Sequence, residues 1–351
     1  MTILEFFLWS LLKVAVITVV MLLGVAYTVL LERKLVGRIQ NRWGPSRVGP
    51  FGLLQPLVDG AKSFLKEDLI PTGVYKPIYL LAPILALGCA LISIAVIPFG
   101  EPKIGPHGFD FFEIANVNIG LLVILGITSI GVYGIALAGW SSNNKYSLLG
   151  SLRSSAQLIS YELALGLSLV GVVLCAGSLN LRTIVEQQAT LGAWTWNINP
   201  FGGGHQFLAF FIYLMAAYAE TNRSPFDLPE AESELTGGYH TEYSSMKFAM
   251  FFMAEYANMI NVGCVATLLF FGGWTSPFGN LIEPPQNVFV HALMPIFWFV
   301  FKVFCFLFLY VWVRGTLPRF RYDQLMNFGW RVLMPLAILN ILGTSLWLAY
   351  R

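Results

Sequence analysis

Long apolar runs separated by shorter polar stretches dominate the chain. A bilayer core requires about 20 apolar residues per helix, and eight runs approach that length. These runs cover residues 9–31, 78–99, 119–140, 157–178, 207–222, 247–271, 293–313 and 331–349. The fifth run is the shortest and has Glu220 close to its end. The pattern predicts an all-α polytopic membrane protein with about eight transmembrane helices, in a single integral membrane domain over residues 1–351.

A different pattern occupies residues 52–67, where apolar side chains recur at helical spacing and polar ones fall on the opposite face. The apolar positions are Leu53, Leu54, Leu57, Val58, Ala61, Phe64 and Leu65, and the polar ones are Asp59, Lys62, Ser63 and Lys66. This periodicity predicts an amphipathic helix at the membrane surface, with Pro56 in its first turn. An interfacial anchor and a helix that lines a cavity are equally compatible with it.

Basic residues are distributed unevenly between the two sets of loops. Lys and Arg concentrate in the charged loops at about 32–77, 141–156, 220–246 and 314–331, whereas the opposite loops carry only Lys103, Arg182 and Arg351. Loops rich in Lys and Arg remain in the cytoplasm. We therefore expect the basic loops on the cytoplasmic side and, because the number of helices is even, both termini on the periplasmic side.

Composition restricts the kind of chemistry that the chain can perform. It is 56% hydrophobic and 11% charged, whereas soluble proteins carry about 25% charged residues. The four cysteines lie in apolar runs without metal-site spacing, and no Walker loop, HExxH, dinucleotide fingerprint or iron–sulfur spacing occurs. We expect no catalytic residue, no bound metal or covalent cofactor and no nucleic-acid partner, so that electrons must come from a partner chain.

Charged residues inside the apolar runs need a physical reason, because a buried carboxylate costs several kcal/mol unless it is paired or protonated. Glu162, Glu220 and Glu255 lie on three different helices at similar depth from the same side. Each alone could be a helix-end glutamate that reaches water, but together they favour a polar path. Lys302 lies near the middle of the seventh run, and we expect it to pair with one of these carboxylates.

The stretch "AETNRSPFDLPEAESEL", residues 219–235, gathers five acids and one base. The acids are Glu220, Asp227, Glu230, Glu232 and Glu234, and the base is Arg223. Pro225 and Pro229 stop the helix that Glu220 ends. We expect Glu220 at membrane level and the residues after it in a charged loop.

Four segments together carry a resemblance to a known family. They are "LLERKLVGRIQNRWGPSRVGPFGLLQPLVDGAKSFLKED", "SLLGSLRSSAQLISYELALG", "AETNRSPFDLPEAESELTGGYHTEYSSMKFAMFFMAEYAN" and "RGTLPRFRYDQLMNFGWRVLMPL". They closely resemble the H subunits of proton-pumping NADH:quinone oxidoreductases, the respiratory complex I family. The resemblance runs over nearly the whole chain.

The resemblance implies a membrane subunit that forms the quinone entry tunnel and links quinone reduction in a peripheral arm to proton translocation. It implies a quinone chamber formed by Glu32, Arg33, Arg42, Asp59, Lys62, Glu67, Arg223, Asp227, Glu230, Glu232, Glu234, Glu242, Arg319, Arg321 and Asp323. It implies a proton path that includes Glu162, Glu220 and Glu255. We add Lys302 to this path because it lies near the middle of the seventh run. Quinone would be the substrate, the other complex subunits and the lipid bilayer would be partners, and FMN and iron–sulfur clusters would belong to those subunits. The implied location is the bacterial inner membrane.

Three other interpretations fit parts of the sequence. Buried acids and a membrane lysine also suit an ion-coupled secondary transporter, although no pair of broken helices occurs in matching halves. A homologous subunit of a ferredoxin-dependent or hydrogenase-type complex would share the same motifs and differ in its electron donor. A purely structural anchor would tolerate neutral residues at Glu162 and Glu255.

Overall fold

The computed structural model describes residues 3–101, 112–201, 204–227, 237–279 and 288–350, and all regular structure within these ranges is helical. The α-helices are α1 (Ile3–Ile39), α2 (Gln55–Leu65), α3 (Lys76–Ser93), α4 (Gly120–Ser141), α5 (Lys145–Ala176), α6 (Leu181–Gln187), α7 (Phe207–Glu220), α8 (Ser245–Phe270), α9 (Val288–Thr316), α10 (Tyr322–Phe328) and α11 (Met334–Tyr350). A π-helical turn, Gly329–Leu333, joins α10 to α11.

Seven helices of the described ranges are long and apolar enough to cross a membrane. They correspond to α1, α3, α4, α5, α8, α9 and the continuous α10–α11 unit, so seven predicted spans are confirmed as helices of spanning length. The remaining predicted segment forms α7, which has 14 residues and is therefore about 21 Å long. A hydrocarbon core is about 30 Å thick, so α7 reaches only part of the way across. The side on which each terminus lies stays a prediction.

The prediction of a charged loop at residues 141–156 is wrong, because α5 begins at Lys145. The side chain of Asn144 accepts a hydrogen bond from the Tyr146 backbone N–H at 3.0 Å and so caps the helix. Small residues then allow close packing. At Gly150 there is no room for a side chain, because a Cβ would lie 2.8 Å from the Gly238 Cα. A hydropathy pattern misses this extension because its residues are polar and small, although the helix is well packed.

The other predicted loops also contain helix. The first basic loop, at about 32–77, begins with the last turns of α1 and contains α2, and the last, at about 314–331, contains the end of α9 and the whole of α10. Parts of these predicted loops therefore extend the helices that flank them.

The amphipathic helix forms as α2, which is shorter than the predicted 52–67. Phe51 and Gly52 have φ values of 53° and 76°, and this left-handed backbone delays the start of the helix until Gln55. Pro56 occupies the first turn, as predicted. At the other end, the Ser245 hydroxyl lies 3.0 Å from the Ser63 carbonyl oxygen and 2.9 Å from that of Lys66, to which it donates. The start of α8 thereby fixes the end of α2.

The bundle packs most closely where small residues face each other. α4 packs against α3 and α5, and α5 packs in turn against α7 and α11. Helices in membranes approach closely where glycine, alanine and serine line the contact. Gly139 of α4 shows this, since a Cβ there would overlap the Ser151 side chain and lie 2.6 Å from the Ser147 carbonyl oxygen.

We expect Gly139→Ala to lower the thermal stability of the protein in mild detergent, because overpacking against a backbone carbonyl costs ~1–3 kcal/mol. Gly126 lies on the same helix, and a Cβ there meets nothing within 4 Å. The matched variant Gly126→Ala should leave the stability unchanged or raise it by up to about 1 kcal/mol, because alanine has the higher helix propensity. Equal melting temperatures for the two variants would contradict the close α4–α5 contact.

Candidate functional site

A cluster of charged and polar side chains, called the Arg223 cluster, consists of the buried Glu32, Arg223, Glu255 and Tyr256 and the half-buried Arg314. The Tyr256 hydroxyl donates to one oxygen of Glu32 at 2.9 Å, and Arg314 pairs with the other. The Arg223 guanidinium lies 3.8 Å from the Glu32 carboxylate and 4.0 Å from that of Glu255. Its central carbon lies 4.0 Å from the centre of the Tyr256 ring. The two acids and the arginine between them are 8%, 7% and 5% exposed.

The backbone after α7 places Arg223 in this cluster. α7 ends at Glu220, and the Phe226 N–H donates to the Arg223 carbonyl at 2.8 Å to close a turn. Gln157 of α5 is fully buried, and its amide nitrogen donates to the carbonyls of Ala219 at 2.8 Å and Phe226 at 2.9 Å. One glutamine thus holds both ends of the segment that carries the arginine.

The three membrane-level carboxylates line one small cavity of about 40 Å³. Glu162 of α5, Glu220 of α7 and Glu255 of α8 contribute to its wall together with Thr128 and Asn222. Ser129 donates a hydrogen bond to Glu162. A water molecule needs about 10–15 Å³ of such volume and polar partners, so the cavity has the size and the chemistry to hold a short water chain. Because Glu255 also contacts Arg223, the cavity adjoins the Arg223 cluster.

A second small cavity, of about 20 Å³, continues from Glu220 deeper into the bundle. Asn258 and Asn261 of α8 line it, one and two turns beyond Glu255, together with the apolar Leu169 and Val265. The Asn261 amide donates to the Ala90 carbonyl and to the Ser93 hydroxyl, both at 2.7 Å. Polar side chains therefore follow α8 inward and give way to an apolar layer.

Further ion pairs and a hydrogen bond connect the loops around the cluster. Asp227 is buried and accepts a hydrogen bond from Arg319 at 2.9 Å. Glu242 accepts one from the Asn144 amide at 2.6 Å. Arg33 pairs with Asp59 of α2 at 2.6 Å on the exposed surface. These contacts tie α2, the start of α5 and the segment after α9 to the same end of the bundle, which we call the basic end.

Not all predicted site residues enter the buried cluster. Arg42, Lys62, Glu67, Arg321 and Asp323 are exposed at the basic end. Glu230, Glu232 and Glu234 lie outside the described residues. The structure therefore pairs Glu32 with Arg223 and Asp227 with Arg319, of which Arg319 is exposed, and leaves the other group at the surface.

The expectation that Lys302 pairs with a carboxylate is wrong. Its ammonium donates to three backbone carbonyls, those of Phe271, Gly273 and Thr275, at 2.7, 2.9 and 2.8 Å. These carbonyls follow the C-terminal end of α8, whereas Glu255 lies in its first half. Helix geometry separates Glu255 from Phe271 by about 24 Å, a distance that no lysine side chain can cover.

Arg314, Tyr239 and Tyr256 belong to the site although nothing in the sequence distinguishes them. Arg314 looks like one more base of a basic loop, and the tyrosines look like ordinary core aromatics. Tyr239 donates to Glu255 at 2.9 Å. Arg314 and Tyr256 both contact Glu32, from which they are separated by 282 and 224 residues, respectively. Spacing rules cannot find such pairs.

An apolar cavity of about 610 Å³ lies beside the cluster, between α1, α8 and α9. Its α1 wall runs from Ile17 to Lys34 and is almost entirely aliphatic or aromatic, which corresponds to about 26 Å along the helix. Lys34 and Leu53, which precedes α2, close the wall at the basic end. The cavity thus extends from the apolar layer to the charged end of the bundle.

Comparison with known proteins gives consistent matches over nearly the whole chain. A family model described as NADH dehydrogenase matches residues 12–345. The second of the NADH-quinone oxidoreductase H subunits of Koribacter versatilis is 61% identical over 99% of this chain and 98% of its own length. The first H subunit of Solibacter usitatus is 48% identical over the same shares, and the H subunit of Leptospira biflexa is 49% identical over 96% of this chain and 94% of its own length.

We expect Arg223→Gln to destabilise the fold by ~3–5 kcal/mol, because it leaves two buried carboxylates without their shared cation. The double variant Glu32→Gln/Arg223→Gln should recover part of that loss, and a double-mutant cycle should show coupling of ~0.5 kcal/mol or more. Arg321 is exposed, so Arg321→Gln should change stability by less than about 0.5 kcal/mol. The stability of each variant is measured by thermal unfolding in detergent. If the effects of the two substitutions in the cycle are additive, the pairing is contradicted.

Proposed function

The chain belongs to the NADH dehydrogenase family, and from this premise we propose that it is the H subunit of a proton-translocating NADH:quinone oxidoreductase. It is a multi-pass membrane protein, and its relatives in Koribacter, Solibacter and Leptospira are bacterial, which supports a place in a bacterial inner membrane. Electron transfer would occur in partner subunits that carry FMN and iron–sulfur clusters. This chain would supply the path of the quinone and the first groups that respond to its reduction.

The apolar cavity supports a role as the path of the quinone tail. An isoprenoid tail is apolar and long, and the cavity offers about 610 Å³ of apolar space along roughly 26 Å of α1. Its charged end lies near Arg33, Asp59 and Glu32, so a polar headgroup would leave the apolar layer where charged side chains begin. The tail would remain in the cavity while the headgroup reacts outside this chain.

The contact of Arg223 with both Glu32 and Glu255 is the observation that carries the proposed coupling. Glu32 lies at the cavity end that would meet the quinone, and Glu255 shares its own cavity with Glu162 and Glu220. A new negative charge about 10 Å away, at an effective dielectric near 20, changes the energy of a charged group by on the order of 1–2 kcal/mol. Such a change would alter the protonation balance of a carboxylate about tenfold.

The proposed sequence of events follows from that contact. Negative charge that develops on the quinone during reduction would attract Arg223 toward Glu32 and weaken its hold on Glu255. Glu255 would then take up a proton from the cavity that it shares with Glu220 and Glu162. When the reduced quinone leaves, Arg223 would return and Glu255 would release the proton into the path toward the pumping subunits.

We expect Glu220→Gln to lower the number of protons pumped per NADH oxidised while the complex still assembles, because a glutamine in the carboxylate cavity cannot exchange a proton. Proton uptake and NADH oxidation should be measured together on the complex in liposomes. Glu186 of α6 is exposed and lies apart from the carboxylate cavity, so Glu186→Gln serves as the matched control. Unchanged pumping stoichiometry in Glu220→Gln would refute the coupling role.

We expect Gly24→Leu to raise the KM for a quinone with a long isoprenoid tail and to leave the KM for a short-tailed analogue nearly unchanged. A Cβ at Gly24 is 3.6 Å from its nearest neighbour, so a larger side chain can be accommodated and would fill part of the apolar cavity. Gly343→Leu on α11, where a Cβ meets nothing within 4 Å, is the control. Equal KM changes for both quinones would show that the tail lies elsewhere.

A further inference from the structure

Two small cavities meet at Glu220, and three amide side chains line them. The carboxylate cavity and the smaller cavity that continues from it share Thr128, Glu220 and Asn258 in their walls. Asn222 lines only the first cavity, and Asn261 lines only the second. We call Asn222, Asn258 and Asn261 the amide group. The group therefore extends along both cavities, with Glu220 at their junction.

Buried acceptor atoms at this junction have no hydrogen-bond partner among the described residues. They are one carboxylate oxygen of Glu220 and the side-chain oxygens of Asn222 and Asn261. The nitrogen of Asn261 is already engaged, because it donates to the Ala90 carbonyl and the Ser93 hydroxyl, both at 2.7 Å. Buried polar groups in folded proteins are bonded to protein or to ordered water. The three oxygens therefore need donors that the described protein atoms do not supply.

The hydroxyl groups next to Glu220 are committed to other acceptors. Thr128 donates to the Leu125 carbonyl at 2.9 Å, and Thr221 donates to the Ala217 carbonyl at 3.1 Å. A hydroxyl has one hydrogen to donate, so neither threonine also serves the carboxylate. A donor for Glu220 must therefore come from within the cavities.

Water fits both the volume and the chemistry of the junction. The cavities have volumes of about 40 and 20 Å³. They have room for roughly three waters and one water, respectively, since each needs about 10–15 Å³. Oxygens that only accept cannot bond to one another, whereas a water molecule donates two hydrogen bonds and can bridge them. The unsatisfied oxygens and the space beside them thus point to the same ligand.

We propose that the amide group binds a short file of ordered water molecules against Glu220, and that Asn258 positions the water that joins the two cavities. The inference rests on the proposed function, in which Glu220 exchanges a proton. A water of the file would donate a proton to the Glu220 carboxylate and take one from the next water, so that each water ends with two hydrogens. The amides stay neutral, because a carboxamide neither gains nor loses a proton near neutral pH. They orient the file and carry no proton themselves.

A purely structural role for the amides is the competing explanation. Amide side chains in membrane proteins connect helices through hydrogen bonds, as Asn261 does with the Ala90 carbonyl of α3. Such a role predicts that loss of an amide lowers stability and leaves the number of protons pumped per NADH unchanged. The two explanations therefore differ in the stoichiometry of pumping and in the presence of bound water.

The first test is a density map of the assembled, resting complex from electron cryo-microscopy, at a resolution that shows ordered waters. We expect water density within hydrogen-bonding distance of Glu220 and of all three amides. A map that shows waters elsewhere among the helices of this chain, and none at these side chains, would overturn the proposal. No turnover occurs in this measurement, so its outcome is independent of pumping by Glu220→Gln.

The second test measures proton uptake and NADH oxidation together on complexes in liposomes. Asn258→Leu removes both polar atoms of the amide and keeps nearly the same side-chain volume. We expect it to lower the number of protons pumped per NADH to about the level of Glu220→Gln, while NADH oxidation continues. Asn258→Ser retains a hydroxyl and leaves space for one more water, so it should recover most of the loss.

Asn340→Leu is the matched control, because it removes a buried amide that lies outside both cavities and donates to Gln206 at 3.0 Å. It should lower stability and leave the stoichiometry at the parent value. Parent-level stoichiometry in Asn258→Leu would overturn the positioning role, and so would an equal loss in Asn258→Leu and Asn258→Ser. If Asn258→Leu does not assemble, Asn258→Val takes its place, and failure of both to assemble would establish the structural role instead.

The two measurements separate this inference from the proposed function on which it rests. A lowered stoichiometry in Glu220→Gln together with a normal one in Asn258→Leu would reject the role of the amides alone. Unchanged pumping in Glu220→Gln, with water density present at the amides, would reject the role of Glu220 in coupling and leave the water site in place.

Discussion

Compensation of buried charge is the constraint on which the rest of this structure depends. Glu32 and Glu255 are withdrawn from water at the edge of an apolar layer, and each would be costly there without a partner. The guanidinium of Arg223 lies between them and is shared by both. Because a planar cation with several donors can contact two acids at once, a change at one carboxylate alters the balance at the other. The fold around the α7–α8 segment holds this arginine in place.

The two ends of the bundle satisfy buried charges in different ways. At the basic end, side chains from distant parts of the chain meet as acids, bases and tyrosines, and this mixture can change protonation or rearrange. At the far end, the partners of Lys302 among the described residues are backbone carbonyls and an indole ring, neither of which can gain or lose a proton near neutral pH. One end therefore has the chemistry of a responsive site and the other that of a fixed charge. Between them, the polar side chains of Glu255, Asn258 and Asn261 on α8 give way to an apolar layer.

The apolar cavity and the charged cluster depend on the same three helices. α1 carries cavity residues along one side and Glu32 near its end, α8 carries Ile260 and Glu255, and α9 carries Phe304 and Arg314. The position of α2 follows from α1 through Arg33 and Asp59, and from α8 through Ser245. The same rigid helices thus line the cavity and carry the charges of the cluster, and the proposed coupling between them would act through these helices.

Hydropathy by itself predicts the membrane-spanning helices, because the bilayer imposes the same length and apolar requirement on each segment independently. The motifs also contain Glu32, Arg223, Asp227 and Arg319, which form ion pairs at the basic end. Only the structure shows that α5 starts at Lys145, where Asn144 caps it and Gly150 packs against Gly238. Likewise, only the structure pairs Glu32 with Arg314 and replaces the expected carboxylate partner of Lys302 with backbone carbonyls. Burial tendency is a property of each residue and can be read locally, whereas pairing depends on distances between residues that the sequence separates by hundreds of positions.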